Sequence, residues 1–263
     1  MTRETPMTYL FSYAGRTILR RFVDRATLFA FDLDGTLAPI VADPDRIQVP
    51  QGVQERLIRL NLLAPVVIIT GRALADARKH LGFTPCYLVG NHGAEGLPGR
   101  EQQEEEFCRQ CSEWLEQLKI LMPHASGCGI FIENKGATLS LHYRNASDPN
   151  AVSRKLVQAI SRLKPPPRRI PGKYVENIVP YGAPHKGEAL SQLMLQTGCS
   201  KALFVGDDAT DEDVFSLAND RILGVRVGCE GSSLADCCLF NQREILDVLD
   251  EIIQLTLKTK DLV

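Results

Sequence analysis

The chain has 263 residues, enough to bury a sizeable core in one large domain or two smaller ones. A formal net charge of −2 excludes the basic excess of a general nucleic-acid binder. The 44% hydrophobic and 24% charged residues suit a soluble globular protein, and no apolar run approaches the ~20 residues of a membrane span. Residues Met1 to Arg21 lack the apolar core of a secretory leader, so a cytoplasmic location is expected. Cys108 and Cys111 stand at the CxxC spacing, but inside a helical pattern, without a second such pair or a histidine at zinc spacing. The cysteines are therefore expected to be scattered thiols in a reducing compartment.

Residues 1–24 read as a helix with Leu10, Phe11, Ile18, Leu19 and Phe22 as its apolar positions. Leu28 to Phe31 is an apolar run, the signature of a buried strand in a parallel sheet, and it ends on Asp32-Leu-Asp34-Gly-Thr36. After a Pro- and Asp-containing loop, 52–63 reads as a helix with Val53, Leu57 and Leu60 on one face. Pro65 to Thr70 is a second buried strand, followed by Gly71-Arg72 and a helix over 73–81. Tyr87 to Gly90 is a third strand, running into Asn91-His92-Gly93-Ala94-Glu95. Strand, helix, strand, helix, strand implies right-handed parallel crossovers.

After Gly99 the pattern changes. Residues 101–121 form a long charged helix anchored by Phe107, Trp114, Leu118 and Leu121. Two strands follow, 129–133 and 137–143. In the second, Thr138, Ser140 and His142 alternate with Leu139, Leu141 and Tyr143, so one face of that sheet is buried. Asp148-Pro149 starts another helix, which Pro165-Pro-Pro167 stops. Strands over 168–170 and 174–179 complete the order αββαββ. The parallel pattern then resumes with a helix over 186–196, the strand 202–205 ending in Gly206-Asp207-Asp208, a short helix over 214–218, the strand 223–227 and a closing helix over 244–257. The predicted fold is α/β: a Rossmann-like, doubly wound parallel sheet formed by 1–98 and 184–263, with an α+β cap inserted at 99–183.

Four stretches carry reactive groups at strand ends or a helix start: Asp32-x-Asp34-Gly-Thr36, Thr70-Gly-Arg72, Lys186-Gly187, and Gly206-Asp-Asp-x-Thr-Asp211. The strand ends of a parallel sheet lie along one edge, so Asp32, Asp34, Thr70 and Asp207 should converge, with Lys186 reaching them from its helix. Clustered acids are costly to desolvate without a cation. Asp32, Asp207 and the backbone carbonyl of Asp34 suit Mg²⁺. The set fits phosphoryl transfer from an ester to water. Asp32 would attack phosphorus, and Asp34, with a raised pKa, would protonate the leaving oxygen. Thr70, Lys186 and the open backbone around Gly35 and Gly71 would hold the phosphate, with Arg72 beside them. Asp208 and Asp211 would orient metal-bound waters or Lys186.

In this order, with an insertion after the third strand, the motifs resemble those of the haloacid dehalogenase superfamily of phosphohydrolases, whose nucleophile and acid/base fall here on Asp32 and Asp34. A finer resemblance, to trehalose-6-phosphate phosphatases, rests on Gly90 to Glu95, Glu133-Asn-Lys-Gly136 with Leu141-His-Tyr-Arg144, and Gly206 to Asp213. It implies sugar contacts at Glu133, Lys135 and Glu176, with Arg144, Asn91 and His92 as further candidates. Tyr-Val-Glu176-Asn-Ile departs from that family's Glu-Ile-Arg-Pro wording. The resemblance also implies a sugar-phosphate substrate and a functional pairing with a trehalose-phosphate synthase. Other phospho-sugars (sucrose phosphate, glucosylglycerol phosphate, a glycosyl-phosphoglycerate), a phosphomutase, and a sugar-phosphate-binding regulatory domain remain open at this level.

Overall fold

The computed structural model describes residues 7–41, 43–217 and 220–258. Two compact units are present, one formed by 1–93 with 185–263 and the other by 94–184. Ala94 belongs to the second because it packs with Phe107, Ala137, Val179 and Ala183.

The first unit holds, in chain order, strand β1 (Thr8–Tyr9), helix α1 (Tyr13–Phe22), β2 (Thr27–Phe31), α2 (Gln51–Asn61), β3 (Val66–Ile69), α3 (Leu74–Leu81) and β4 (Tyr87–Val89). The second unit contributes α4 (Glu101–Leu121), β5 (Phe131–Asn134), β6 (Leu139–His142), α5 (Pro149–Ile160), β7 (Arg168–Gly172) and β8 (Val175–Val179). The chain then returns to the first unit with α6 (Lys186–Thr197), β9 (Lys201–Gly206), α7 (Glu212–Phe215), β10 (Ile222–Val227), β11 (Cys237–Leu239) and α8 (Ile245–Lys258).

The first unit's sheet is wholly parallel, in the order β1-β11-β10-β9-β2-β3-β4. Both faces of its middle strands are apolar, as the continuous runs predict. Phe29, Phe31, Val66, Ile68, Leu203 and Val205 pack with Val53 and Leu57 of α2 and Val248, Leu249 and Ile252 of α8. Buried Leu190 and Leu193 lie on α6, and Phe215 of α7 packs its ring against Phe204. At about 25 cal/mol per Å², each such Leu or Phe contributes roughly 2 kcal/mol relative to exposure. Winding proceeds outward from β2 through β3 to β4, then restarts at β9 on the other side of β2 and runs to β11. The reversal lies between β2 and β9, the position where open α/β sheets bind ligands.

The second unit is the expected αββαββ arrangement, with an antiparallel sheet in the order β5-β6-β8-β7. Trp114 and Leu118 of α4 and Leu156 of α5 bury Leu139, Leu141 and Ile178 on one sheet face. Trp114 Nε1 donates to the Pro165 carbonyl at 2.7 Å, tying α4 to the Pro-rich segment.

Two expectations need revision. The predicted N-terminal helix does not cover residues 7–12. Thr8–Tyr9 pair with Cys237–Cys238 at the sheet edge, and the helix begins only after Ser12, whose side chain caps it by accepting from the Gly15 amide at 3.1 Å. The first six residues of that predicted helix, and the predicted end of the short helix at Ala218, lie outside the described residues. The cysteines are not all thiols, because Cys229 and Cys238 form a disulfide with their Cα atoms 5.2 Å apart. The segment after β10 returns to lay β11 alongside it, which brings the two together; the other six cysteines are free.

Candidate active site

Asp32 follows β2 directly, its amide bonded to the Val205 carbonyl of β9 at 2.9 Å. Asp207 follows β9. These carboxylates therefore meet where the winding reverses. Lys186 is the first residue of α6. The preceding His185 caps that helix, accepting from the Gly187 and Glu188 amides, while Glu188 accepts from the His185 amide. This capping box fixes the helix start. From there the Lys186 ammonium, 1% exposed, donates to Asp32 at 3.0 Å and to Asp211 at 2.7 Å. Asp211 also accepts from the Asp208 amide at 2.9 Å. Carboxylate oxygens of Asp32, Asp207 and Asp211 lie within 4.8 Å of one another.

One ammonium thus faces three close carboxylates. Burial pushes the Asp32 carboxyl well above its usual range; Lys186 opposes this, and Asp211, Asp208 and Asp207 add to it. Lys186 stays charged despite its burial because Asp211 and Asp32 flank it. The remaining negative charge calls for a proton or a hard cation, and an all-oxygen donor set of this size fits a divalent one. Gly35 clears the space: its φ is +76°, and a Cβ there would strike the Asp207 carboxylate. Thr36 donates its hydroxyl to Asp207 at 3.4 Å.

A pH dependence follows. Burial, then Asp211 and Asp208, push the Asp207 carboxyl up to about 7 from an ordinary 3.8. Between those values the unfolded chain has released a proton that the folded chain retains. Stability of the metal-free protein therefore falls as pH rises through that window. A divalent cation bound at this cluster would take the proton's place, so added Mg²⁺ should raise Tm more at about pH 8 than at about pH 5. Thermal melts in chelator and in Mg²⁺ check this, and equal shifts at both pH values would remove the cation from the cluster.

Asp34 sits differently from its expectation. Its side chain is 41% exposed, and both oxygens accept from Arg72, Nε to Oδ2 and a terminal nitrogen to Oδ1, each at 2.7 Å. Burial among carboxylates is not its environment. To exchange a proton, one Asp34 oxygen must first leave that guanidinium. Arg72 also donates to Asp76 of α3 at 2.7 Å. Thr70, 1% exposed at the end of β3, accepts from the Arg72 amide at 3.2 Å. The Asn91 amide donates to the Arg72 carbonyl at 2.8 Å and the His92 amide to the Thr70 carbonyl at 2.9 Å, so the segment after β4 braces the Thr70–Arg72 turn. Asn91 and His92 hold left-handed φ values of 51° and 59°, and both are buried. A Cβ at Gly71 would strike the His92 ring, so these residues shape the turn from behind.

In the second unit, Glu133 of β5 accepts from His142 of β6 at 2.9 Å, with the Lys135 ammonium 3.9 Å from the same oxygen. Arg144 is exposed in the turn after β6. Glu176 is 3% exposed and accepts from Arg169 at 2.9 and 3.3 Å. The structure does not bring it together with Glu133 and Lys135. It pairs across the sheet with Leu141, whereas Glu133 pairs with Ser140, and adjacent positions on a strand point to opposite faces.

The trehalose-phosphatase profile matches residues 30–233, from within β2 to beyond β10. The chain belongs to the trehalose-phosphatase family. It is 29% identical over 238 residues to a rice (Oryza sativa subsp. japonica) protein called probable trehalose-phosphate phosphatase 4, covering 85% of this chain and 65% of that one. It therefore spans just under two thirds of that relative's length. Among solved structures, the C. albicans trehalose-6-phosphate phosphatase C-terminal domain superposes with a TM-score of 0.73 at 23% identity, over 95% of this chain and 98% of that one. A haloacid dehalogenase-like hydrolase from Bacteroides thetaiotaomicron gives 0.56 at 17% identity, over 86% and 99%. The doubly wound sheet with an inserted α+β unit is thus the haloacid dehalogenase fold.

Asp211, expected to orient Lys186 or metal-bound waters, accepts from Lys186 and also lies in the carboxylate cluster itself. Within this trehalose-phosphatase framework, sequence reasoning missed two side chains. His142 holds Glu133, and Asp76 shares Arg72 with Asp34. Asp76 had a legible signal, standing at i+4 from Arg72 on a helix.

Proposed function

We propose that this chain is a phosphatase that hydrolyses trehalose 6-phosphate to trehalose and phosphate in the presence of Mg²⁺. The observation that carries the reading is Asp32, placed at the winding reversal with its carboxylate bonded to a buried ammonium and beside two further acids. Asp32 attacks phosphorus, forming an aspartyl-phosphate as the bond from phosphorus to the sugar oxygen breaks. Asp34, released from Arg72, gives that oxygen a proton. It then takes one from the water that attacks phosphorus, freeing phosphate and restoring Asp32. Lys186, Thr70 and the freed Arg72 balance the phosphoryl charge. Asp32, Asp207 and the Asp34 carbonyl are the candidate ligands for Mg²⁺, which would supply positive charge to offset the repulsion of the acids and the phosphate. Glu133 and Lys135 bind sugar hydroxyls. The proposal extends to a cytoplasmic location and to a trehalose-phosphate synthase as the source of substrate. Among the described residues, no helix is long and apolar enough to cross a membrane.

The test is phosphate release with Mg²⁺ across trehalose 6-phosphate, sucrose phosphate, glucosylglycerol phosphate, a glycosyl-phosphoglycerate and glucose 6-phosphate. Trehalose 6-phosphate should lead in kcat/KM by about 10²-fold, the scale at which a site built for hydroxyls separates analogues. A different leading sugar overturns the substrate; no release from any overturns the activity.

A further inference from the structure

The two faces of the second unit's sheet differ in chemistry, and strand register assigns each residue to one of them. Directly paired residues of neighbouring antiparallel strands share a face. Ile132, Leu141, Glu176 and Pro171 form one such row; Glu133, Ser140, Asn177 and Ile170 form the next. The first row lies on the face where Leu141 and Ile178 pack under α4 and α5. Glu176 is turned that way, buried and held by Arg169. The second row lies on the opposite face with Phe131, which is 64% exposed and stacks on His142, and with the His142–Glu133 pair.

We infer that Asn177, rather than Glu176, is the specificity-determining partner of Glu133 and Lys135 in binding the sugar. This rests on the phosphatase reading above and deepens it. The Asn177 side chain is half-buried and fixed: Oδ1 accepts from Ser140 Oγ at 2.6 Å, and Nδ2 donates to the Ile170 carbonyl at 3.2 Å. A primary amide has two acceptor and two donor positions, so each bond uses one of a pair and leaves its twin. The remaining acceptor and donor match a hydroxyl, which both gives and takes a hydrogen bond. A carboxylate would only accept. The amide is also neutral, so the row bearing it suits an uncharged polyhydroxyl group such as a hexosyl unit. Its orientation is set before substrate arrives, which lowers the cost of binding.

The experiment compares kcat/KM for trehalose 6-phosphate with that for p-nitrophenyl phosphate, which lacks a sugar, in the wild type, Asn177→Ala, Ser140→Ala and Glu176→Gln. The ratio should fall about tenfold in Asn177→Ala, through KM rather than kcat, and about threefold in Ser140→Ala, which unpins the amide. It should hold within about twofold in Glu176→Gln, whose effect is on Tm. A tenfold fall in Glu176→Gln with an intact ratio in Asn177→Ala overturns the inference. If Asn177→Ala does not fold, an unchanged ratio in Ser140→Ala overturns it. Should the wild type prefer another phospho-sugar, the substrate reading fails alone and the ratio is taken with that sugar. A wild type that hydrolyses no phospho-sugar overturns both.

Discussion

Lys186→Met should fold poorly and turn over more slowly by at least about 10³-fold. The ammonium is enclosed, and its partners Asp32 and Asp211 are both buried acids. Methionine fills a similar volume, so the loss is electrostatic and leaves little cavity. Removing one member of a buried ion pair costs about 3–5 kcal/mol, because the remaining charge stays buried without compensation. Here two carboxylates lose their shared donor, with Asp207 close by. Removing a donor aimed at developing charge commonly costs about 10²- to 10³-fold in turnover, and Lys186 also holds the nucleophile. Added Mg²⁺ should recover part of the stability and little of the rate. Thermal melts and phosphate release over a Mg²⁺ titration check both, and a kcat within tenfold of the wild type would free Lys186 from the chemistry.

Asp32→Asn should behave oppositely in stability and more severely in rate. An amide cannot attack phosphorus, and loss of a covalent nucleophile removes on the order of 10⁴- to 10⁶-fold. The same change removes a charge from a crowded cluster. Burial first, and then the neighbouring acids, hold the Asp32 carboxyl far above its ordinary value. Below the ordinary carboxylate range both states are protonated and nothing is lost. At neutral pH ionising Asp32 gains the folded, metal-free chain less than it gains the unfolded chain, so Asp32 lowers stability there. The asparagine variant should therefore melt no lower than the wild type in chelator at about pH 8, and Mg²⁺ should raise its Tm less. A melting curve and a phosphate assay on one preparation separate these effects. Near-full turnover would move the nucleophile elsewhere.

These two residues were legible because their signals are local and the topology is stereotyped. An apolar run ending in Asp32-Leu-Asp34 fixes a strand end, and the helix signal after His185 places Lys186 at a helix start. Right-handed crossovers then leave few ways for the ends to meet. What stayed hidden depended on partners distant in the chain. Asp34 could be placed beside Asp32, but the guanidinium that takes both its oxygens comes from the loop after β3. Glu176 and Asn177 are adjacent, and only register decides which faces Glu133. Val175, Ile178 and Val179 supply no clean alternation, since apolar groups occupy both faces there. β1 and β11 span two and three residues, too few for periodicity to show. The Cys229–Cys238 disulfide depends on that same unseen strand.

The reversal of winding at β2 also bears on how the protein is made. β2 pairs with β3 early, but its other neighbour, β9, begins only at Lys201, after the whole second unit. Every residue of β2 is buried in the finished fold. During synthesis that side of the strand is an unpaired apolar edge, the template on which chains aggregate. The pairing that closes it is also among the most distant in the chain, which slows folding. Asp32, Lys186 and Asp207 come together only at that closure. The nascent protein is thus most exposed to misassembly until its reaction centre forms, and the step that ends the hazard is the one that creates the centre.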